Sequence, residues 1–293
     1  MRQSRREFLK LFGGMVLSNG LGASEGFCDP LLQEFISPSL TTPKVDWNSI
    51  RGKLFSLSPD YVYMNNSTLG TTLKPVQRKI AAVQDVFSKG CYLSEFLQQV
   101  VFAMGPLREK IRRVINAHDD GSSTGRYIGL VDSVTDGMSL IANGLTFEAG
   151  DAILTTDHEH TGGYTMWELQ RDRYRSKLVQ IPLLIPGQPE DEWKASLLER
   201  FEKAFQKHEP KVLSFSWITT STGHILPAKE LCELASRYGA ISVIDGAQAF
   251  GILPMDVTEL DCDFLVCNGH KYLCGPVGTG FISVHPRRLE AVS

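Results

Sequence analysis

The sequence predicts an α/β protein whose main body is a mostly parallel, doubly wound sheet with helices on both faces, and three observations carry that expectation. From residue 126 onward, short apolar runs alternate with longer amphipathic stretches, the pattern that strand–helix–strand units write into a chain. The runs are mostly apolar, as strands covered on both faces are. Two of them end in polar residues: Asp245 follows 241–244, and Asn268, His270 and Lys271 follow 264–267. A parallel sheet presents its ligand-binding groups at that carboxyl edge.

The amino terminus comes first. Ser4-Arg5-Arg6-Glu7-Phe8-Leu9-Lys10 precedes a weakly apolar stretch, 11–23, which is the pattern of a twin-arginine export signal with Leu21-Gly22-Ala23 as the cleavage site before Ser24. That stretch is too short to cross a bilayer as a helix, so residues 1–23 read as a signal peptide and not as a membrane anchor. The expected partner is the twin-arginine translocase, and the expected destination is the periplasm or the cell exterior. Residues 24–60, with Pro30, Pro38, Pro43 and Pro59 and little periodicity, read as a linker or amino-terminal arm.

Residues 61–293 form one large domain. Apolar residues at helical spacing, such as Ile80, Val83, Val86 and Phe87, predict a helix over 73–89, and the same spacing predicts another over 106–117. Strands are expected at 127–131, 152–155, 178–181, 212–216, 241–244, 264–267 and 281–284. A helix reaching Leu145 opens just after the first strand, and a further amphipathic helix spans about 191–207. No internal repeat is visible.

Composition narrows the function classes. With 42% hydrophobic and 22% charged residues the chain is globular, and a net charge of -3 leaves no basic footprint for nucleic acid. Six cysteines and seven histidines occur without a CxxC pair or an HExxH helix, so neither a metal site nor a disulfide framework is expected.

The residues at the sheet edge specify a chemistry. A lysine followed by a glycine-rich turn (Lys271, then Gly275-Pro276) can form a Schiff base with an aldehyde cofactor. An aspartate at a neighbouring strand end, Asp245, can hold a pyridine nitrogen protonated so that the ring acts as an electron sink. Alone, each would be a solvated lysine or a turn-forming aspartate. Together they fit pyridoxal 5'-phosphate (PLP). Its phosphate needs backbone amides at a helix start, and Asp132-Ser133-Val134-Thr135-Asp136-Gly137-Met138 supplies one. Thr135 and the amides of Val134, Thr135 and Asp136 are the candidates, with the acidic side chain of Asp136 required to turn away.

The motifs VIDGAQAFG (243–251), NGHKYLCGPVGTGF (268–281), STGHILP (221–227) and DHEHTGG (157–163) resemble the class V group of fold-type I PLP enzymes. That group includes cysteine desulfurases, isopenicillin N epimerase-like proteins and kynureninases. The resemblance runs from about residue 61 to the end. YMNNSTLG (63–70) is similar to the substrate-side loop of the epimerase-like branch. The resemblance implies that Lys271 carries the cofactor and shuttles the Cα proton, that Asp245 meets the ring nitrogen, and that Gln248 reaches the ring hydroxyl. It implies that Thr220 makes another contact to that ring oxygen and that Asn268 and His270 complete the phosphate site. His160, in preference to His158, would stack on the ring and transfer protons.

The resemblance further implies an amino-acid substrate and a homodimer. A carboxyl-terminal small domain would supply the substrate-gripping arginine, and the chain stops at Ser293, soon after the strand at 281–284. The chain is therefore expected to be truncated. The function expected is that of a PLP-dependent enzyme acting at the Cα of an amino acid, as an epimerase or aminotransferase does. The alternatives are a cysteine desulfurase or lyase, with its reactive cysteine beyond residue 293, and a non-catalytic remnant of the fold.

Overall fold

The computed structural model describes residues 47–90, 101–121 and 124–289. The twin-arginine segment and most of the proline-bearing arm lie outside the described residues. Within them, one seven-stranded sheet is formed by β1 (Ile128–Val131), β2 (Ala152–Thr156), β3 (Lys177–Ile181), β4 (Val212–Ser216), β5 (Ile241–Asp245), β6 (Phe264–Asn268) and β7 (Gly280–Val284). Their order is β1-β7-β6-β5-β4-β2-β3. Strands β2 to β6 pair in parallel, while β7 runs antiparallel to β6 and β1. Only the loop 269–279 joins β6 to β7, which is too short for a helical crossover, so β7 must return antiparallel.

Every parallel step is made by a helix or a longer connection: α4 (Val134–Gly144) follows β1, α5 (Thr161–Tyr174) follows β2, α6 (Glu190–His208) follows β3, α7 (Ala228–Arg237) follows β4 and the short α8 (Val257–Leu260) follows β5. Strand side chains alternate between two cores. Ile153, Val212, Val243 and Val266 pack under Met138 and Ile141 of α4 and Trp167 of α5. Leu154, Leu213, Phe215, Ile244 and Leu265 face Phe201 and Phe205 of α6 and Leu231 of α7. The central strands β2, β4, β5 and β6 are thus covered on both faces and buried along their whole length. Truncating a buried phenylalanine such as Phe201 to alanine would cost about 3–5 kcal/mol.

Polar ties lock the edges. Trp167 Nε1 donates to Ser214 Oγ at 2.8 Å, pinning α5 to β4. Asp263, sealed at the start of β6, accepts the Ser242 amide at 2.9 Å, Arg287 Nε at 2.6 Å and Arg288 Nε at 2.9 Å. Burial alone would raise its pKa, but these donors hold it below the usual carboxylate value. The 3-10 turn Pro286–Arg288 is anchored to the sheet in this way.

Within the segment 24–60, read as a linker or arm, the described end forms α1 (Trp47–Leu54). Ile50 and Leu54 lie one turn apart, Leu54 is buried, and Lys74 Nζ donates to the Gly52 carbonyl at 2.7 Å, tying α1 to α2 (Lys74–Lys89). Gly52 and the nearby prolines hide these two turns of periodicity. The helix expected over 106–117 is α3 (Met104–Val114), which stops early because Asn116 takes a left-handed φ of 45°. The chain then turns so that Ile115 and Ala117 enter the core.

Candidate active site

The carboxyl edge of the sheet gathers the polar residues. β5 ends in Asp245, and its register partner on β4 is Ser216. Asp245 Oδ1 accepts the Ala247 amide at 2.8 Å, while Oδ2 faces the start of α5, where a Cβ at Gly163 would lie 3.2 Å away. Burial pushes the Asp245 pKa up, against the Ala247 amide and the electrostatic effects of Lys271 and His160. Lys271 follows β6 and is 8% exposed. Burial lowers its pKa and Asp245 opposes that shift, so the amine sheds its proton more readily than a surface lysine.

The YMNNSTLG loop closes over this pair. The Gly70 amide donates to the His270 carbonyl at 2.7 Å, and a Cβ at Gly70 would lie 1.8 Å from the Lys271 carbonyl oxygen. Only glycine permits that approach. Thr72 Oγ1 donates to the Gly275 carbonyl at 3.2 Å, and the Ser67 carbonyl accepts from Gln248 Nε2 at 3.0 Å. Gln248 Nε2 also reaches Thr220 Oγ1 at 3.4 Å.

At the start of α4 the amides divide. Ser133 caps the helix by accepting the Asp136 amide at 3.1 Å, and the Val134 amide is given to Asn268 Oδ1 at 2.7 Å. Asn268 therefore fastens the end of β6 to α4, and two of the three amides expected for a phosphate, those of Val134 and Asp136, are already taken within the protein. Thr135 is exposed, and among the described residues its amide has no protein acceptor. Asp136 does turn away: its Oδ2 accepts the Asp132 amide at 3.2 Å.

His160 caps α5, its Nδ1 accepting the Gly162 amide at 3.1 Å, so Nδ1 carries no proton in this arrangement. It acts electrostatically on Asp245. His158 is instead bound to its neighbour, with Nδ1 2.6 Å from Asp157 Oδ1. The structure thus brings together Lys271, Asp245, Gln248, Thr220 and His160, with His270, Asn268, Val134, Thr135 and Asp136 along one side. Two buried polar atoms in this group, Gln248 Oε1 and His270 Nδ1, have no hydrogen-bond partner among the described residues. Burial, and then the Lys271 charge, lower the His270 pKa, against a hydrogen bond to the Thr279 backbone. Unpaired buried groups are costly, and a polar ligand would satisfy them.

Sequence reasoning passed over one carboxyl here. Glu159 folds inward between Thr156 and Ser216. Its only signal was its place between the two histidines of DHEHTGG. Among the described residues His118, Asp261 and His285 bring ligand atoms within 4.8 Å of one another. Arg287 already sits there, with Nη1 2.7 Å from Asp261 Oδ1 and 3.2 Å from His285 Nε2, and its amide is taken by His285 Nδ1 at 3.1 Å. The cluster is an ion-pair network with its own cation.

Comparison with known proteins bears on this site. The family described as Aminotransferase class-V matches residues 63–293. An isopenicillin N epimerase of Streptomyces clavuligerus is 32% identical over 252 residues, 84% of this chain and 58% of that protein. A probable cysteine desulfurase of Halalkalibacterium halodurans is 31% identical over 245 residues, 79% of this chain and 55% of that protein. The chain spans a little over half the length of these relatives. A solved structure of a variant of the lyase C-DES, with glycine covalently linked to its PLP cofactor, superposes with a TM-score of 0.73 at 23% identity, covering 86% of this chain and 62% of that one.

Proposed function

The chain belongs to the class-V aminotransferase family, and from that membership we propose that it is a PLP-dependent enzyme acting at the Cα of an amino acid in the manner of an epimerase. The observation that carries this reading is the enclosure of Lys271 beside Asp245 at adjoining strand ends, beneath the Gly70 loop. The cofactor of this family is PLP, which supplies an electron sink that weakens the bonds at a substrate's Cα.

The residues present fit that group. Lys271 would hold its aldehyde carbon, Asp245 its ring nitrogen, and Gln248 and Thr220 its ring oxygen. Thr135 with the start of α4, and His270, would hold the phosphate, the helix terminus favouring negative charge. Asn268, Val134 and Asp136 support that cup through their bonds to one another and to the turn. Burial lowers the Lys271 pKa, which favours the neutral amine that can accept the Cα proton. Epimerisation returns a proton to the opposite face, and His160 at the start of α5 is the residue assigned that position.

The experiment is exchange in deuterium oxide. Cofactor-loaded protein should place deuterium at the Cα of a substrate amino acid and convert its L form into the D form, followed by mass spectrometry and chiral chromatography. A protein that binds PLP but exchanges no Cα hydrogen from any of the twenty amino acids contradicts the reading. The second reading is a cysteine desulfurase, favoured by the similarity to the Halalkalibacterium protein. It predicts alanine and persulfide from cysteine. The proposal extends to a homodimer, supported by the exposed apolar side chains of Phe87, Phe102 and Leu107 on and around α2 and α3. It also extends to export by the twin-arginine translocase, supported by Arg5-Arg6 and the apolar stretch after it.

A further inference from the structure

Glu159 has no part in the roles above, yet it lies inside the site. Its carboxyl folds back across the ends of β2 and β4, with Oε1 accepting from Thr156 Oγ1 at 2.5 Å and Oε2 from Ser216 Oγ at 2.7 Å. Because Ser216 is the register partner of Asp245, the two carboxyls are neighbours at the strand ends. The groups facing Glu159 are Thr156 from β2, Ser216 from β4 and, as a charge, Asp245 from β5. Among the described residues no lysine or arginine pairs with it. Lys271 and His160 act on Asp245 instead.

This is an environment built for a carboxyl that gains and loses a proton. The two hydroxyls can donate to the ionised form or turn to accept from the protonated one, so neither state leaves a polar atom stranded. Burial raises the Glu159 pKa to about 7, against the Thr156 and Ser216 hydroxyls and with a further push from Asp245. A cation arriving at Asp245 would cancel that push.

We propose that Glu159 is a positioning residue for the ring-nitrogen end of the cofactor, forming with Asp245 a two-carboxyl proton store that couples cofactor capture to pH. The inference rests on the PLP reading. When a cationic ring nitrogen docks on Asp245, the Glu159 proton passes to solvent. By reciprocity, a site with Glu159 already ionised binds that cation more tightly.

The probe is 4'-deoxypyridoxine 5'-phosphate, which keeps the ring nitrogen and phosphate but lacks the aldehyde and so cannot bond to Lys271. Its affinity is measured at pH 6 and pH 8 for the wild type and for Glu159→Gln, whose amide is neutral at both. The probe's own titrations are common to both proteins, so the difference belongs to Glu159. The wild type should gain affinity over this range by about fivefold more than the variant, the lower end of couplings between neighbouring sites. Equal pH dependence in the two proteins overturns the proposal while leaving the PLP reading intact. Failure of both proteins to bind the probe overturns the PLP reading with it. Carboxyl-carbon NMR of the ligand-free wild type gives a second measurement that does not depend on the variant. A Glu159 midpoint near 7 supports the store, and one at an ordinary glutamate value of about 4–5 overturns it.

Discussion

At the scale of single residues, the site works by burying charges next to one another. Asp245 and Lys271 oppose each other's burial-driven shifts, the carboxyl pushed up and the amine pushed down. Asp245→Asn should therefore keep cofactor attached to Lys271 but lose most of its activation, because a neutral amide cannot hold a pyridinium. Absorbance titration and turnover of one substrate separate the two effects. Glu159 also leaves a mark on stability. Its pKa rises from 4.5 to about 7 on folding, so between those values the folded state binds the extra proton. Stability from this group is full below about pH 4.5, falls by at most about 1.4 kcal/mol per pH unit as pH rises toward 7, and is flat above. Glu159→Gln should lack that decline in urea melts of the cofactor-free protein. Asp245, His270 and Lys271 were legible because they end or follow apolar runs. Glu159 was not, since its inward turn depends on Thr156 and on Ser216, which is distant in sequence.

At the scale of elements, the strands were legible almost to the residue because most positions in each run are apolar and the central strands are covered on both faces. The fold is the one expected, the large domain of fold-type I PLP enzymes with a mostly parallel sheet. The order β1-β7-β6-β5-β4-β2-β3 was not legible, since it is decided by crossovers and not by any single run. Nor was α1, whose periodicity lasts about two turns, or the ion-pair cluster of His118, Asp261, His285 and Arg287, which assembles from three separate segments. The YMNNSTLG loop was legible as a motif, but its contact with the lysine was not. Gly70→Ala tests that contact. A methyl placed 1.8 Å from the Lys271 carbonyl oxygen must push the loop off the lysine turn, costing about 1–3 kcal/mol as overpacking does. Faster hydrogen exchange at the Gly70 amide and weaker cofactor retention are the expected outcomes. An unchanged exchange rate would mean that the loop does not close the site.

At the scale of the whole molecule, the account expects two copies and an export route. Light scattering of the purified protein should give twice the mass of one chain, and a lone-chain mass across micromolar concentrations would contradict the homodimer. Among the described residues no helix is long and apolar enough to cross a membrane. Replacing Arg5 and Arg6 by lysine preserves charge but should leave a reporter fusion in the cytoplasm. Export of that variant as efficient as the parent's would refute the twin-arginine reading. Everything else depends on the cofactor and its lysine. The most direct measurement is borohydride reduction of the PLP-loaded protein followed by peptide mapping. Irreversible attachment at Lys271 is the predicted result. A label on another lysine, such as Lys211 or Lys229, or none after saturation with cofactor, would contradict the account.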